Sequence, residues 1–113
     1  MKSDGKAVRT FCYIADATVV FFLALLKGEN GQAYNIADNS GEISILDLAN
    51  LLAGLFPEKK LKVEKKEVIQ EGYIKSKIIR HFLDTSKITK LGWEPKYSLE
   101  QGFIRTVKSF LND

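Results

Sequence analysis

The sequence predicts a small α/β (or α+β) layer, one domain over residues 1–113 with three to four helices and about three short strands. Three observations carry that prediction. Hydrophobic residues make up 45% and charged residues 27%, a globular composition with apolar mass for one modest core. Apolar residues recur at three- and four-residue steps over 45–56 and 99–111, the period of a helix with one buried face. Elsewhere, short β-branched and aromatic runs stop at clusters of Gly, Asn and Asp, the texture of short strands and turns.

Arg9–Ile14 is β-branched and aromatic and reads as the first strand. Asp16 stands where a helix cap would, before a helix over Ala17–Lys27, with Gly28 as its stop. Val19 to Leu26 leaves that helix almost no polar face, so it must be covered on every side. Gln32–Ile36 reads as a second strand after the Glu29-Asn30-Gly31 turn. Ser44 with Asp47 three residues on reads as the capped start of a helix through Phe56, its stripe being Ile45, Leu48, Ala49, Leu52 and Leu55 with Phe56. Pro57 ends it. Lys60–Lys66 alternates apolar and charged residues, which suggests an edge strand guarded by lysines.

Val68–Leu83 shows no clear period and allows only a short helix. Asp84–Lys87 reads as a cap and first turn, closed by Leu91-Gly92. The residue before Pro95 is pushed out of α geometry, so Trp93-Glu94-Pro95 is a turn. Ser98 caps a last helix over Leu99–Leu111, with Phe103, Val107, Phe110 and Leu111 on one face.

The functional content is narrower. A net charge of +3 does not argue for nucleic acid. Residues 58–90 hold ten Lys/Arg against five Asp/Glu, but that segment reads as a solvated edge without stacking aromatics beyond Tyr73. One cysteine (Cys12, read as a small core residue) and one histidine (His81, read as a packed or surface side chain) leave no disulfide framework, no Cys or His metal cluster and no Ser-His-Asp triad. The polar start and the short apolar run Val19–Leu26 suggest neither secretory signal nor membrane span, so the expected location is cytoplasmic.

No Gly-x-Gly-x-x-Gly or P-loop pattern occurs, so no cofactor is expected on this chain. Tyr73-x-x-x-Lys77 has the spacing that sets a phenol beside an ammonium, which would favour general-base work. With no nucleotide-binding loop before it, that match is read as chance. Arg9 begins an apolar strand, Asn35 interrupts Tyr34–Ala37 and Arg80 interrupts Ile78–Leu83, and a polar group there must find a partner. Local backbone bonds would answer this; so would two guanidiniums converging on one phosphate, which their planar forks suit.

Four blocks then show a resemblance. Arg9-Thr-Phe-Cys-Tyr-Ile-Ala-Asp16 resembles Arg-x-Phe-x-Tyr-Val-x-Asp of the extended short-chain dehydrogenase/reductases. Gly31-Gln-Ala-Tyr-Asn-Ile-Ala37 resembles their Gly-x-x-Tyr-Asn-Leu/Ile-Gly strand, and Ile43–Leu48 the helix start after it. Asp84–Lys87, Leu91–Pro95 and Ser98–Gly102 resemble their C-terminal signature, in order and spacing, so that the match covers roughly residues 5–111.

The family is the NAD-dependent epimerases and dehydratases of nucleotide sugars. The resemblance implies the C-terminal substrate-binding part of such an enzyme, without the Rossmann core that supplies NAD binding and the catalytic Tyr-x-x-x-Lys. It implies that Arg9 contacts the nucleotide diphosphate of a UDP- or dTDP-sugar, that Asn35 lies near the pocket, and that Arg80 closes on the phosphate. Ala37 replaces the usual glycine. NAD belongs to the implied full-length parent, and this chain alone is expected to be a catalytically inactive fragment. Its expected partners are the missing Rossmann domain or further copies of itself. A stand-alone interaction or assembly module that kept the fold is the alternative.

Overall fold

The structure, a computed structural model, describes residues 1, 3–66 and 82–111. Its elements are β1 (Val8–Thr10), α1 (Ile14–Lys27), β2 (Glu42–Ser44), α2 (Ile45–Leu55), α3 (Ser86–Lys90) and α4 (Leu99–Leu111), with 3₁₀ turns at Asn39–Gly41 and Pro57–Lys59. They fall into two compact units: Met1–Arg9 with Glu42–His81, and Thr10–Gly41 with Phe82–Asp113.

In the first unit β1 pairs with β2 as a two-stranded sheet. The Ile45 N–H donates to the Ala7 carbonyl at 2.9 Å, and past the other end the Phe11 N–H donates to Gly41 at 3.2 Å, the crossed register of an antiparallel pair. The start of α2 is fully answered. Ile45 N–H goes to Ala7, Leu46 N–H to the Gly5 carbonyl at 2.9 Å, and Asp47 N–H to the Ser44 hydroxyl at 3.0 Å. Three donors that a helix start leaves orphaned therefore have acceptors. Gly5 makes the approach possible: its φ is +73°, and a Cβ there would lie 2.7 Å from Leu46 Cβ. The predicted α2 stripe is buried or half-buried, while Asp47, Asn50 and Gly54 are exposed.

The second unit is built around Val20, Ile88 and Trp93, with Cys12, Leu23, Ala24, Tyr34, Ile36 and Leu91 packed against them. Asp16 ties its parts together. The Asp16 carbonyl accepts from Trp93 Nε1 at 3.1 Å, and its two carboxylate oxygens accept the Lys96 and Tyr97 N–H groups at 3.0 Å each. Only 4% of Asp16 is exposed, and these bonds are what let a carboxylate sit so deep. At α4, Ser98 Oγ accepts from Gln101 N–H while Gln101 Oε1 accepts from Ser98 N–H, a reciprocal capping pair.

Several sequence expectations are corrected. The first strand is Val8–Thr10 rather than Arg9–Ile14, because Ile14 already opens α1 behind Tyr13. Asp16 is no cap; its carboxylate turns to the 96–97 backbone instead. Gln32–Ile36 and Lys60–Lys66 are not strands: among the described residues neither joins a sheet, and Lys60 takes a left-handed φ of 48°. Among the described residues the sheet has two strands, and β2 (Glu42–Ser44) carries no strand signal in the sequence. Gly28 is extended (φ −68°), so it closes α1 without the left-handed stop geometry. The α4 face is covered only in its first half, since Phe103 and Val107 are half-buried but Phe110 and Leu111 exposed. Most of the possible Val68–Leu83 helix, His81, and Tyr73 with Lys77 lie outside the described residues.

Candidate functional site

Arg9 is in the first unit, near the end of β1, half-buried, with Nη1 donating to the Val8 carbonyl at 2.8 Å. Asn35 is in the second unit, exposed, with Nδ2 donating to the Asp84 carbonyl at 3.2 Å. Both therefore make backbone bonds, as either reading of them allows. Arg80 lies outside the described residues. Asn39, which the sequence does not single out, makes the parallel contact: its Nδ2 donates to the Leu83 carbonyl at 3.3 Å, and its buried Oδ1 has no partner among the described residues. Two asparagines thus hold the 83–84 backbone.

The pocket of the second unit has a volume of about 330 Å³ and lies between the start of α1 and the first half of α4. Phe11 and Phe103 (6.0 Å between ring centres) and Leu99 give it an apolar lining. Gly102 belongs to that wall because a Cβ there would meet the Tyr13 ring at 3.2 Å. Two of its hydroxyls are engaged: Ser98 Oγ accepts the Gln101 N–H at 3.2 Å, and Thr106 Oγ1 donates to the Gly102 carbonyl at 2.8 Å. Cys12 Sγ donates at 3.7 Å to the Tyr13 carbonyl.

Burial first, and then the Asp16 and Asp38 charges, push the Cys12 thiol above its ordinary pKa. A thiol so held is neutral near pH 7 and a poor nucleophile. With Phe11, Leu99 and Phe103 in its wall, the pocket suits an apolar group.

The Tyr13 and Tyr97 rings meet as a tilted pair, centres 4.9 Å apart at 58°, with the Arg105 guanidinium 5.1 Å from the Tyr97 ring centre and Arg105 Nε donating to the Tyr13 hydroxyl at 3.3 Å. The bond to the Tyr13 hydroxyl first, then the charges of the Tyr97 and Tyr13 phenols, raise the Arg105 pKa further, so it stays a cation. Sequence reasoning missed this trio, because nothing in the spacing of residues 13, 97 and 105 signals it. No group of three or more His, Cys, Asp or Glu among the described residues could hold a metal, and no described helix is long and apolar enough to cross a membrane.

No family model matches the chain. Individual proteins do. The dTDP-glucose 4,6-dehydratase of Haemophilus influenzae is 32% identical over 115 residues, covering 96% of this chain and 34% of that protein. The structure of UDP-glucose 4-epimerase with UDP-glucose from Thermotoga maritima superposes with a TM-score of 0.78 at 32% identity, over 99% of this chain and 34% of that one. That of dTDP-glucose 4,6-dehydratase from Bacillus anthracis, in complex with NAD, gives 0.78 at 27% identity, over 98% and 33%.

The fold is thus that of a segment of longer nucleotide-sugar enzymes, and the chain spans about one third of the length of the curated relatives it matches. The proteins it matches are NAD-dependent epimerases and dehydratases of nucleotide sugars, to which it is similar over that third.

Proposed function

We propose that this chain is the substrate-binding part of an NAD-dependent nucleotide-sugar epimerase or dehydratase and orients the nucleotide diphosphate of a UDP- or dTDP-sugar. The observation that carries the reading is the homology to such enzymes along nearly the whole chain, at 32% identity to a dTDP-glucose 4,6-dehydratase. In this reading Arg9 and Arg80 contact the diphosphate and Asn35 borders the sugar nucleotide. Their work is positioning: a fixed diphosphate makes the reaction at the sugar effectively intramolecular. Cys12, a neutral thiol, takes no part.

The residues here do not fit NAD. A dinucleotide's pyrophosphate wants free N–H groups at a helix start. The α2 start spends its first three on Ala7, Gly5 and Ser44, and the α4 start gives Gln101 N–H to Ser98. The α1 start carries the Asp16 carboxylate in its first turn. The isolated chain is expected to turn over no nucleotide sugar.

The test is a titration of UDP-glucose and dTDP-glucose into isotope-labelled chain, read by NMR. Binding should be weak and should shift the Arg9 and Asn35 amides. Arg9→Ala should weaken it about 10- to 100-fold, the ~1.5–3 kcal/mol of a charged hydrogen bond. Arg9→Lys should restore only part, since an ammonium presents no planar fork. Unchanged affinity in Arg9→Ala would remove the diphosphate assignment. A second reading, an interaction or assembly module, is favoured by one observation, the bare face of α1.

A further inference from the structure

The Glu29-Asn30-Gly31 stretch, marked as a turn by its residue types, forms one. The Gln32 N–H donates to the Glu29 carbonyl at 3.3 Å, and Gly31 takes the positive φ of +76° that the third position of such a turn favours. Asn30 and Gly31 are both exposed, and a Cβ built on Gly31 would meet nothing within 4 Å. Among the described residues neither the Asn30 amide nor the Gly31 N–H has a hydrogen-bond partner. The Asn30 side chain can therefore turn its carbonyl carbon onto the next backbone nitrogen, with no side chain on Gly31 in the way. We propose that Asn30-Gly31 is a modification site, at which the asparagine deamidates spontaneously to aspartate and isoaspartate.

The step needs only water. The Gly31 nitrogen gives its proton to solvent base and bonds to Asn30 Cγ, while the Cγ–Nδ2 bond breaks and Nδ2 leaves as ammonia. Water then opens the cyclic imide. Cleavage of the new Cγ–N bond gives aspartate; cleavage of the original peptide bond gives isoaspartate, whose main chain runs through Cγ and is one methylene longer. Nothing is oxidised or reduced. Either product sets a carboxylate beside Glu29, so the net charge of +3 falls by one.

The other described sites show what holds the same chemistry back. Asn35 Nδ2 donates to the Asp84 carbonyl, and the branched Ile36 follows it. Asn39 Nδ2 donates to the Leu83 carbonyl, and the next N–H, of Ser40, donates to Asp38 Oδ1 at 3.0 Å. Asn50 lies inside α2, where the helix ladder engages the backbone. Asp4-Gly5 could cyclise by losing water, but the Gly5 N–H donates to Ser3 Oγ at 3.2 Å and Asp4 Oδ1 accepts the Lys6 N–H at 3.0 Å. Only at Asn30-Gly31 are electrophile and nucleophile both unengaged among these pairs. The proposal goes beyond the nucleotide-sugar reading and does not rest on it.

The test ages the full 113-residue chain in mildly alkaline buffer at physiological temperature, both folded and in urea. Peptide mapping locates the mass gained as NH₂ becomes OH, and isoaspartate is counted by enzymatic carboxyl methylation with labelled S-adenosylmethionine. In the folded chain Asn30 should convert at least about tenfold faster than Asn35, Asn39 or Asn50. Tenfold is about 1.4 kcal/mol of barrier, the scale of the hydrogen bond that Asn35 or Asn39 must first give up. Urea should speed Asn35 and Asn39 and so narrow the lead of Asn30. Asn30→Gln, a solvent-facing change, should remove the methylation signal. The proposal is overturned if Asn30 stays intact in the folded chain, whether or not urea lets it convert. It is equally overturned if Asn35 or Asn39 keeps pace with Asn30 in the folded chain, or if Asn30→Gln leaves the methylation signal unchanged.

Discussion

Replacing Asp16 by alanine tests the packing logic of the second unit most directly. The carboxylate accepts two backbone N–H groups at 3.0 Å, from Lys96 and Tyr97, and is nearly inaccessible to water. Each bond to a charged acceptor contributes about 1.5–3 kcal/mol. Both bonds are part-buried, so water recovers some of the loss, and we expect Asp16→Ala to cost about 2–5 kcal/mol. An asparagine side chain at the same position would present one oxygen and one NH₂. It would keep one acceptor but face the other N–H with a donor, so Asp16→Asn should cost about 1.5–3 kcal/mol. That is a large share of the roughly 5–15 kcal/mol typical of a domain.

The readout is built in. Trp93 is the only tryptophan, belongs to the same core, and bonds through Nε1 to the Asp16 carbonyl, which both substitutions keep. Urea unfolding followed by its fluorescence therefore reports the second unit. A midpoint shift worth less than about 1 kcal/mol for Asp16→Ala would mean the two N–H groups find other partners, and the hub role given to Asp16 would fall. Asp84→Ala is the comparison: that carboxylate accepts one backbone N–H, from Ser86, on the open surface, and its loss should be clearly smaller.

The remaining expectations are briefer. Gly5→Ala forces a side chain into a left-handed conformation against Leu46 and should destabilise the first unit by about 1–2 kcal/mol or more, read by hydrogen exchange of the α2 amides. Ser44→Ala removes the acceptor of Asp47 N–H and should cost about 1 kcal/mol in the same measurement. Asp84 is held below the usual carboxylate pKa, chiefly by its bonds with the Ser86 backbone and side chain. Its contribution is present above the unfolded pKa and lost as pH falls through the lowered folded value, so Asp84→Asn should flatten the acid limb of stability against pH. Cys12 should react with iodoacetamide more slowly than a free cysteine at about pH 8, its rate still rising above the ordinary thiol range; a rate equal to the free thiol's would count against its burial.

The features legible in the sequence are those whose cause is local. Ser44 and Ser98 are readable as caps because a hydroxyl and the N–H it serves sit three residues apart, and both bonds form. The α2 stripe is readable because one helix period fixes which side chains share a face. Asp16 misleads because cap chemistry and its actual partners use the same carboxylate, and those partners lie about 80 residues on. The site residues are less legible still. Arg9 and Asn35 stand out as polar residues in apolar runs, but a single sequence does not show which acceptors they will use; each donates to a backbone carbonyl, of Val8 and of Asp84.

The Gln32–Ile36 segment shows why a strand pattern is not yet a strand. Its alternation is real: Tyr34 and Ile36 turn toward the core while Ala33 and Asn35 are exposed. Period-two burial needs only extended backbone, whereas a strand also needs a neighbour's N–H and C=O groups. Side chains hold this segment instead. The Tyr34 hydroxyl accepts the Glu29 N–H at 2.9 Å, Asn35 reaches the Asp84 carbonyl, and Gln32 Oε1 accepts from Lys87 Nζ at 3.2 Å. The β-rich composition of Gln32–Ile36 thus records a preference for extended backbone and a buried face. Whether a ladder forms is decided by which strands lie beside the segment, and that information is not local to these residues.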